Sequence, residues 1–163
     1  MTRRKLLLAG AAAVSAGVLL RLGVGGGSSA ASAATFEIVR SEDEWRRALS
    51  PEAFRVLRGH GTERPGSSPL DHEARPGVFA CAGCELPVYG SEHKFDSRTG
   101  WPSFDRPVAD AVGTSDDWGL LGLRTEVHCR RCGGHLGHVF ADGPPPTGQR
   151  HCINGAALAF QPA

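Results

Sequence analysis

Apolar positions along this chain change their period twice. Residues 6–20 form a nearly continuous apolar run, residues 45–57 carry apolar side chains at helical spacing, and from residue 78 onward short stretches alternate with period two. Ser41-Glu-Asp-Glu44 has the form of a capping box, which puts Trp45, Ala48 and Leu49 on one face of a short helix. Ser50-Pro51 can cap and start a second helix, with Phe54, Val56 and Leu57 along it and Gly59 as its end. Residues 60–77 hold three prolines and, beyond Gly59, three more glycines, and are expected to be an irregular loop. The clearest strand is residues 121–129, with shorter ones at 78–80, 137–140 and 156–160. Between the last two, residues 143–148 read as a rigid turn that delivers Cys152 to a fixed place. The fold class expected is mainly β: antiparallel sheets of short strands with a small helical N-terminal segment.

The first apolar run has another meaning. It follows Arg3-Arg4-Lys5, spans only 15 residues with two glycines and a serine, and leads to Ala31-Ser-Ala33. A cationic start, a short apolar core and an Ala-x-Ala site make an export signal, and the adjacent arginines favour the twin-arginine route. A membrane span wants about 20 apolar residues, so no stable insertion is expected once the signal is cleaved. Residues 1–33 are therefore expected to be the signal and residues 34–163 a single extracytoplasmic domain, periplasmic or secreted. Cleavage would leave 14 Lys and Arg against 17 Asp and Glu, a net charge of −3. A mildly acidic domain lacks the electrostatic footprint of a nucleic-acid partner.

Charge excludes; the cysteines propose. Four of the five fall into two Cys-x-x-Cys pairs, Cys81/Cys84 and Cys129/Cys132. Each pair presents two sulfurs from one tight turn, and two turns close a tetrahedral shell that suits structural zinc, with no open position for water. The 44 residues between the pairs exceed zinc-ribbon spacing, so the metal would staple distant parts of the fold. Iron fits the same shell, and two disulfides or redox dithiols are the competing reading.

Cys152 stands alone in Arg150-His-Cys-Ile-Asn154, fourteen residues after His138. In an exported chain an odd thiol implies intermolecular pairing or a reactive cysteine. A thiol with a pKa near 8.5 needs nearby cations or donors to ionise at neutrality. Arg150 offers a fixed positive charge and is also a candidate for substrate contact, while the histidines can exchange protons near neutrality. Asn154, two residues along an expected strand, would share the face of Cys152 and hydrogen-bond a bound oxygen. Taken alone, Cys152 is equally a buried structural thiol.

Gly61-Thr-Glu-Arg-Pro65, Lys94-Phe-Asp-Ser97, Thr99-Gly-Trp-Pro-Ser-Phe104, His135-Leu-Gly-His-Val-Phe140, Asp142-Gly143, Pro146-Thr-Gly148 and Cys152-Ile-Asn154 occur in this order. The string strongly resembles the peptide methionine sulfoxide reductase B family over about residues 36–160. The resemblance implies reduction of the R epimer of methionine sulfoxide in oxidised proteins. It makes Cys152 the nucleophile and Trp101 the aromatic wall for the substrate methyl. His135, His138 and Asn154 become the groups that orient the sulfoxide oxygen and assist proton transfer, and the two pairs become ligands of structural zinc. The attack would leave a Cys152 sulfenic acid for a thiol to reduce. Outside this string, Trp101 would read as a core aromatic, and His135 and His138 as structural histidines or a second metal pair.

The chain also departs from the family pattern. Thr99 stands where many members carry a resolving cysteine, which implies a one-cysteine cycle completed by a thioredoxin-like or other dithiol reductant. His151 replaces an aromatic residue, Gly155 a serine, and Gly66 a phenylalanine. A titratable His151 beside the nucleophile is expected to steepen the pH dependence of activity. The alternative from another class is a zinc-stapled binding module with an inert Cys152.

Overall fold

A computed structural model describes residues 36–119 and 122–163; the expected export signal lies outside them. Two short helices come first, α1 (Glu42–Ala48) and α2 (Pro51–Leu57). Ser41 and Glu44 close the capping box on α1, and Ser50 accepts from Ala53 N–H with Pro51 at the first turn of α2. Each cap satisfies donors that a seven-residue helix would otherwise leave open. The helices bury Trp45, Ala53, Val56 and Leu57. Helices this short are held by that burial rather than by propensity.

Among the described residues nine strands follow: β1 (Gly77–Cys81), β2 (Pro87–Gly90), β3 (Lys94–Phe95), β4 (Ser103–Phe104), β5 (Val112–Gly119), β6 (Gly122–Cys129), β7 (His135–Phe140), β8 (Arg150–Ile153) and β9 (Leu158–Pro162). They form a three-stranded sheet, β2-β1-β9, and a six-stranded sheet, β3-β4-β8-β7-β6-β5. Every pairing is antiparallel, as the short alternating segments predicted. The expected loop contains a 3-10 turn, Pro69–His72. The strand expected at 156–160 starts later, because Gly155–Ala157 makes another 3-10 turn before β9.

Aromatic side chains join the sheets. Phe104 of the large sheet stacks on Tyr89 of the small one, 4.3 Å between centroids, and meets Phe79 edge-on at 5.0 Å. All three are fully buried; each such side chain contributes about 1.5–3 kcal/mol from burial alone. The inward alternation of β6 holds only at its C-terminal half. Val127 and Cys129 are buried, but Leu123 is 52% exposed and its cross-strand partner Trp118 is 78% exposed, because that end of the β5–β6 ribbon runs past the core. No helix among the described residues is long and apolar enough to cross a membrane.

Candidate active site

The register of the large sheet assembles one row. Ser103 on β4 pairs with Cys152 on β8, Cys152 with His138 on β7, His138 with Glu126 on β6, and Glu126 with Ser115 on β5. Cross-strand partners point to the same face, so five strands contribute to one line of side chains. Asp117 and Arg124, themselves paired, lie two residues further along the same face. Period two would send His135 to the opposite side from His138. The β6–β7 register prevents this: Val127 faces Gly137 and His128 faces His135, so Leu136 is the extra residue of a bulge. The two imidazoles end 5.3 Å apart, edge to face.

A cavity of about 140 Å³ opens over this row. Cys152, His138 and Asn154 line it with Trp101 and Phe140, and Thr62, Arg124 and Gly137 complete the wall. Larger hollows of about 330, 350 and 270 Å³ lie beside Glu63, Lys94 and Gly83, but the first two contain no thiol and the third is lined by Cys84 of the four-cysteine cluster. Gly137 is required where it stands, since a Cβ there would collide with the Cys152 carbonyl.

The Cys152 thiol is half-buried. Burial pushes its pKa up, opposed by a hydrogen bond with Thr99 and by the charge of Arg150. Thr99 Oγ1 is 3.9 Å from the sulfur and ends a chain of hydroxyls, 2.8 Å to Ser97 and 2.7 Å on to Ser103. Arg150 draws the thiol down as expected, but burial outweighs it. Arg150 donates two bonds of 2.9 Å to Asp142 and lies over the Phe140 ring, so much of its charge is already engaged, and it does not line the cavity.

Behind the cavity, each histidine holds a carboxylate. His138 Nε2 is 2.7 Å from Asp117, whose carboxyl is held below the usual range by His138 and Arg124 although burial opposes them. His135 Nδ1 is 2.7 Å from Glu126, which also accepts the Ser115 hydroxyl at 2.6 Å. Burial would raise Glu126, but the bonds from Ser115 and His135 outweigh it and keep the acid low. An ionised Glu126 can only accept, so Nδ1 of His135 carries the ring hydrogen and Nε2 a lone pair. That Nε2 is buried without a partner, the ring is 2% exposed, and burial lowers its pKa.

Glu63 binds the front of the site together. Its carboxylate, 4% exposed, accepts from the backbone N–H of Gly155 and Ala156 at 2.5 and 3.0 Å. Its own N–H donates to Asn154 Oδ1 at 3.0 Å, and its carbonyl accepts the Trp101 indole N–H at 3.2 Å. Burial pushes the Glu63 acid up while those backbone bonds pull it down. Asn154 also donates from Nδ2 to the Leu136 carbonyl at 3.0 Å, leaving one amide hydrogen for the cavity. It reaches the cavity from beyond the end of β8, not along the strand as expected.

Two departures find reasons here. A Cβ at Gly155 would strike the Ser68 side chain, so Ser68 fills the space a serine at 155 would need. Gly66, at φ 70°, donates to the Gly100 carbonyl at 2.7 Å and ties the 61–66 segment to the loop carrying Trp101. His151 corrects another expectation. Adjacent to Cys152 on a strand, it faces the other side, buried against Tyr89 with Nδ1 3.2 Å from the phenol oxygen. Its titration bears on the core, not on the cavity. Glu63, Thr62, Phe140, Asp117, Arg124 and Glu126 were not assigned roles from sequence. The first three stand inside the quoted motifs, a signal that pattern alone could not convert into contacts.

The two Cys-x-x-Cys turns close on each other. One follows β1 and the other β6, so their meeting joins the small sheet to the large one. Cys81 and Cys132 sulfurs are 3.8 Å apart, Cys84 and Cys129 3.5 Å, and all four lie within 4.8 Å. A tetrahedral ion with metal–sulfur bonds of about 2.3 Å has edges of about 3.8 Å, so these residues fit a four-thiolate metal site. The crowded sulfurs share protons unequally: hydrogen bonds from Cys132, Cys81 and Cys84 push the Cys129 thiol down, while bonds with Cys129 push Cys81 and Cys132 up. Arg58 and Arg131 donate to the carbonyls of Cys132 and Cys84, each at 3.0 Å, and brace both turns.

The family profile described as the SelR domain matches residues 49–162. The peptide methionine sulfoxide reductase MsrB of Agrobacterium fabrum is 46% identical over 127 residues, 77% of this chain and 94% of that protein. The MsrB of Bradyrhizobium diazoefficiens is 50% identical over 127 residues, 77% and 91% of the two chains. That of Leifsonia xyli subsp. xyli is 50% identical over 129 residues, 78% and 93%. A thiol, two carboxylate-backed histidines and a closed four-cysteine shell thus stand on a chain that belongs to the SelR-domain family of peptide methionine sulfoxide reductases.

Proposed function

We propose that this protein reduces the R epimer of methionine sulfoxide in oxidised proteins, with Cys152 as nucleophile. The observation that carries this reading is the convergence of Cys152, His138, Asn154 and Trp101 on one small cavity. The Cys152 thiolate attacks the polarised sulfoxide sulfur. The oxygen leaves poorly unless it is protonated or hydrogen-bonded during the attack, and His138 with the free amide hydrogen of Asn154 supplies that. His135, whose ring lies against His138, supports the proton transfer from behind. Trp101 and Phe140 offer apolar walls to the methyl group, and Arg150 is a substrate contact at the edge of the site. Fixed walls and fixed donors together select one epimer.

As the sulfur–oxygen bond of the sulfoxide breaks, the oxygen passes with one proton to Cys152: the sulfoxide is reduced by two electrons to methionine, and the Cys152 thiolate is oxidised by two electrons to a sulfenic acid. Thr99 cannot form a disulfide, so an external dithiol completes the cycle. Its first thiol displaces water to give a mixed disulfide, and its second releases the Cys152 thiol. A raised thiol pKa in the free protein is consistent with a nucleophile that ionises as substrate and proton donor come together. Cys81, Cys84, Cys129 and Cys132 would hold zinc, which supplies a redox-inert structural cross-link. Export through Arg3-Arg4 would place this activity outside the cytoplasm.

The test is turnover of separate R and S methionine sulfoxide peptides by the zinc-loaded protein with dithiothreitol, alongside Cys152→Ser. R-selective methionine formation lost in the variant is expected. Absence of turnover in folded, zinc-replete protein would overturn the proposal in favour of a binding module.

A further inference from the structure

Apart from the four cysteines, one other set of metal-ligating side chains converges among the described residues. The donor atoms of His60, Glu126 and His135 lie within 4.8 Å of one another. Both imidazoles aim Nδ1 at the same oxygen, Glu126 Oε1, at 3.1 Å from His60 and 2.7 Å from His135. The other oxygen is occupied by the Ser115 hydroxyl. A tetrahedral ion with bonds of about 2.0–2.1 Å has ligand edges of about 3.3–3.4 Å, near the 3.1 Å spacing and wider than the 2.7 Å one. Entry of an ion therefore replaces the His135–Glu126 hydrogen bond by two metal bonds. Two imidazoles and a carboxylate are a donor set for zinc and neighbouring first-row ions, and a hydrogen bond on the far carboxylate oxygen is the support such ligands carry. The His60 side chain is 66% exposed, so one ligand can swing to admit an ion while the buried pair stays fixed.

We propose that His60, Glu126 and His135 form a second, exchangeable divalent-metal site whose occupation inhibits the reductase. Only the inhibition rests on the proposed function; the binding stands on the geometry. Coordination at Nδ1 moves the hydrogen of the His135 ring to Nε2, while Glu126 stays ionised. His135 Nε2 then changes from acceptor to donor. The ion also pins the His135 ring, which lies edge to face against His138 with centroids 5.3 Å apart, so His135 can no longer support the proton transfer from behind.

Zinc-loaded protein carrying Cys152→Ser, free of thiol reductant, is titrated with cobalt(II) and followed by visible absorption and calorimetry. One added equivalent is expected, with the d–d bands of a nitrogen–oxygen site and no thiolate charge-transfer band, and it should vanish when His60→Ala is added. Reduced wild-type protein is then given R methionine sulfoxide peptide for a single turnover without dithiol, which would chelate the ion. Added zinc should slow that turnover roughly tenfold, a small part of what acid–base assistance contributes in such a step. His60→Ala should keep the metal-free rate and lose the inhibition. No added equivalent, an equivalent that survives His60→Ala, or unslowed turnover with the site filled would each overturn the proposal. Failure to turn over without added metal would count against the reductase reading instead, and the titration would still decide the metal site.

Discussion

The four-cysteine shell and the Cys152 cavity use the same side chain for opposite ends. In the shell, sulfurs face sulfurs at 3.5–3.8 Å, and the environment of each thiol is the other three. In the cavity, the sulfur faces no cysteine, and its environment comes from strands and loops scattered between residues 62 and 154. The shell is local chemistry repeated twice, in a geometry that fits a metal. The cavity is non-local chemistry, made possible by sheet register. The surroundings of Cys152 are therefore set by the whole fold, whereas those of the shell are set by two short turns.

Stripping the metal should break the comparison most severely. Structural zinc sites contribute about 10–16 kcal/mol in small domains, more than the net stability of most of them. A strong chelator, or Cys132→Ser, should abolish the cooperative thermal transition along with activity, because the link between β1 and β6 is lost. Cys152→Ser should do the reverse. Turnover should fall by at least about a thousandfold, as for other lost nucleophiles, with thermal stability unchanged by calorimetry. A Cys152→Ser protein that unfolds would show that the cavity, too, holds the fold together.

Glu63→Gln is the intermediate case. An amide set against the Gly155 and Ala156 N–H groups can accept only one of the two bonds, and losing a charge-assisted bond costs about 1.5–3 kcal/mol. Displacement of Trp101 and Asn154 should lower kcat/KM by about 10–100-fold, the scale of a small misplacement in a site. The Trp101 indole N–H resonance should shift while zinc content holds. An unmoved resonance with lost activity would place Glu63 in some other role.

The smallest effect expected is at His151. Burial depresses its folded pKa, so the unfolded chain binds the proton more readily. Its contribution to stability is present above about pH 6.5 and is lost as the pH falls through the depressed folded value. His135 acts with the same sign. His151→Tyr should therefore reduce, without abolishing, the acid-side decline in melting temperature. The pH profile of turnover should not change, since the ring faces away from the cavity; a changed profile would refute that separation.

Legibility followed range in the chain. The caps of both helices, the Cys-x-x-Cys turns and the β character came from neighbours within a few residues, where spacing dictates geometry. His151 was misjudged because adjacency in sequence means opposition across a strand. How far Arg150 is engaged elsewhere was not legible, because Asp142, which accepts two bonds from it, could not be paired with it by spacing. Glu63 carried no legible role because each of its partners is contributed by another segment or by backbone.

What the sequence by itself determined is a mainly β chain with a four-cysteine shell and one solitary thiol, because these depend on residue type and short spacing. Only the tertiary structure decided that a bulge at Leu136 turns His135 to the side of His138. It alone also gathered five strands under Cys152 and let burial outweigh Arg150 at the thiol. Register, burial and long-range hydrogen bonds are properties of segments that meet, and a linear pattern does not say which segments those are.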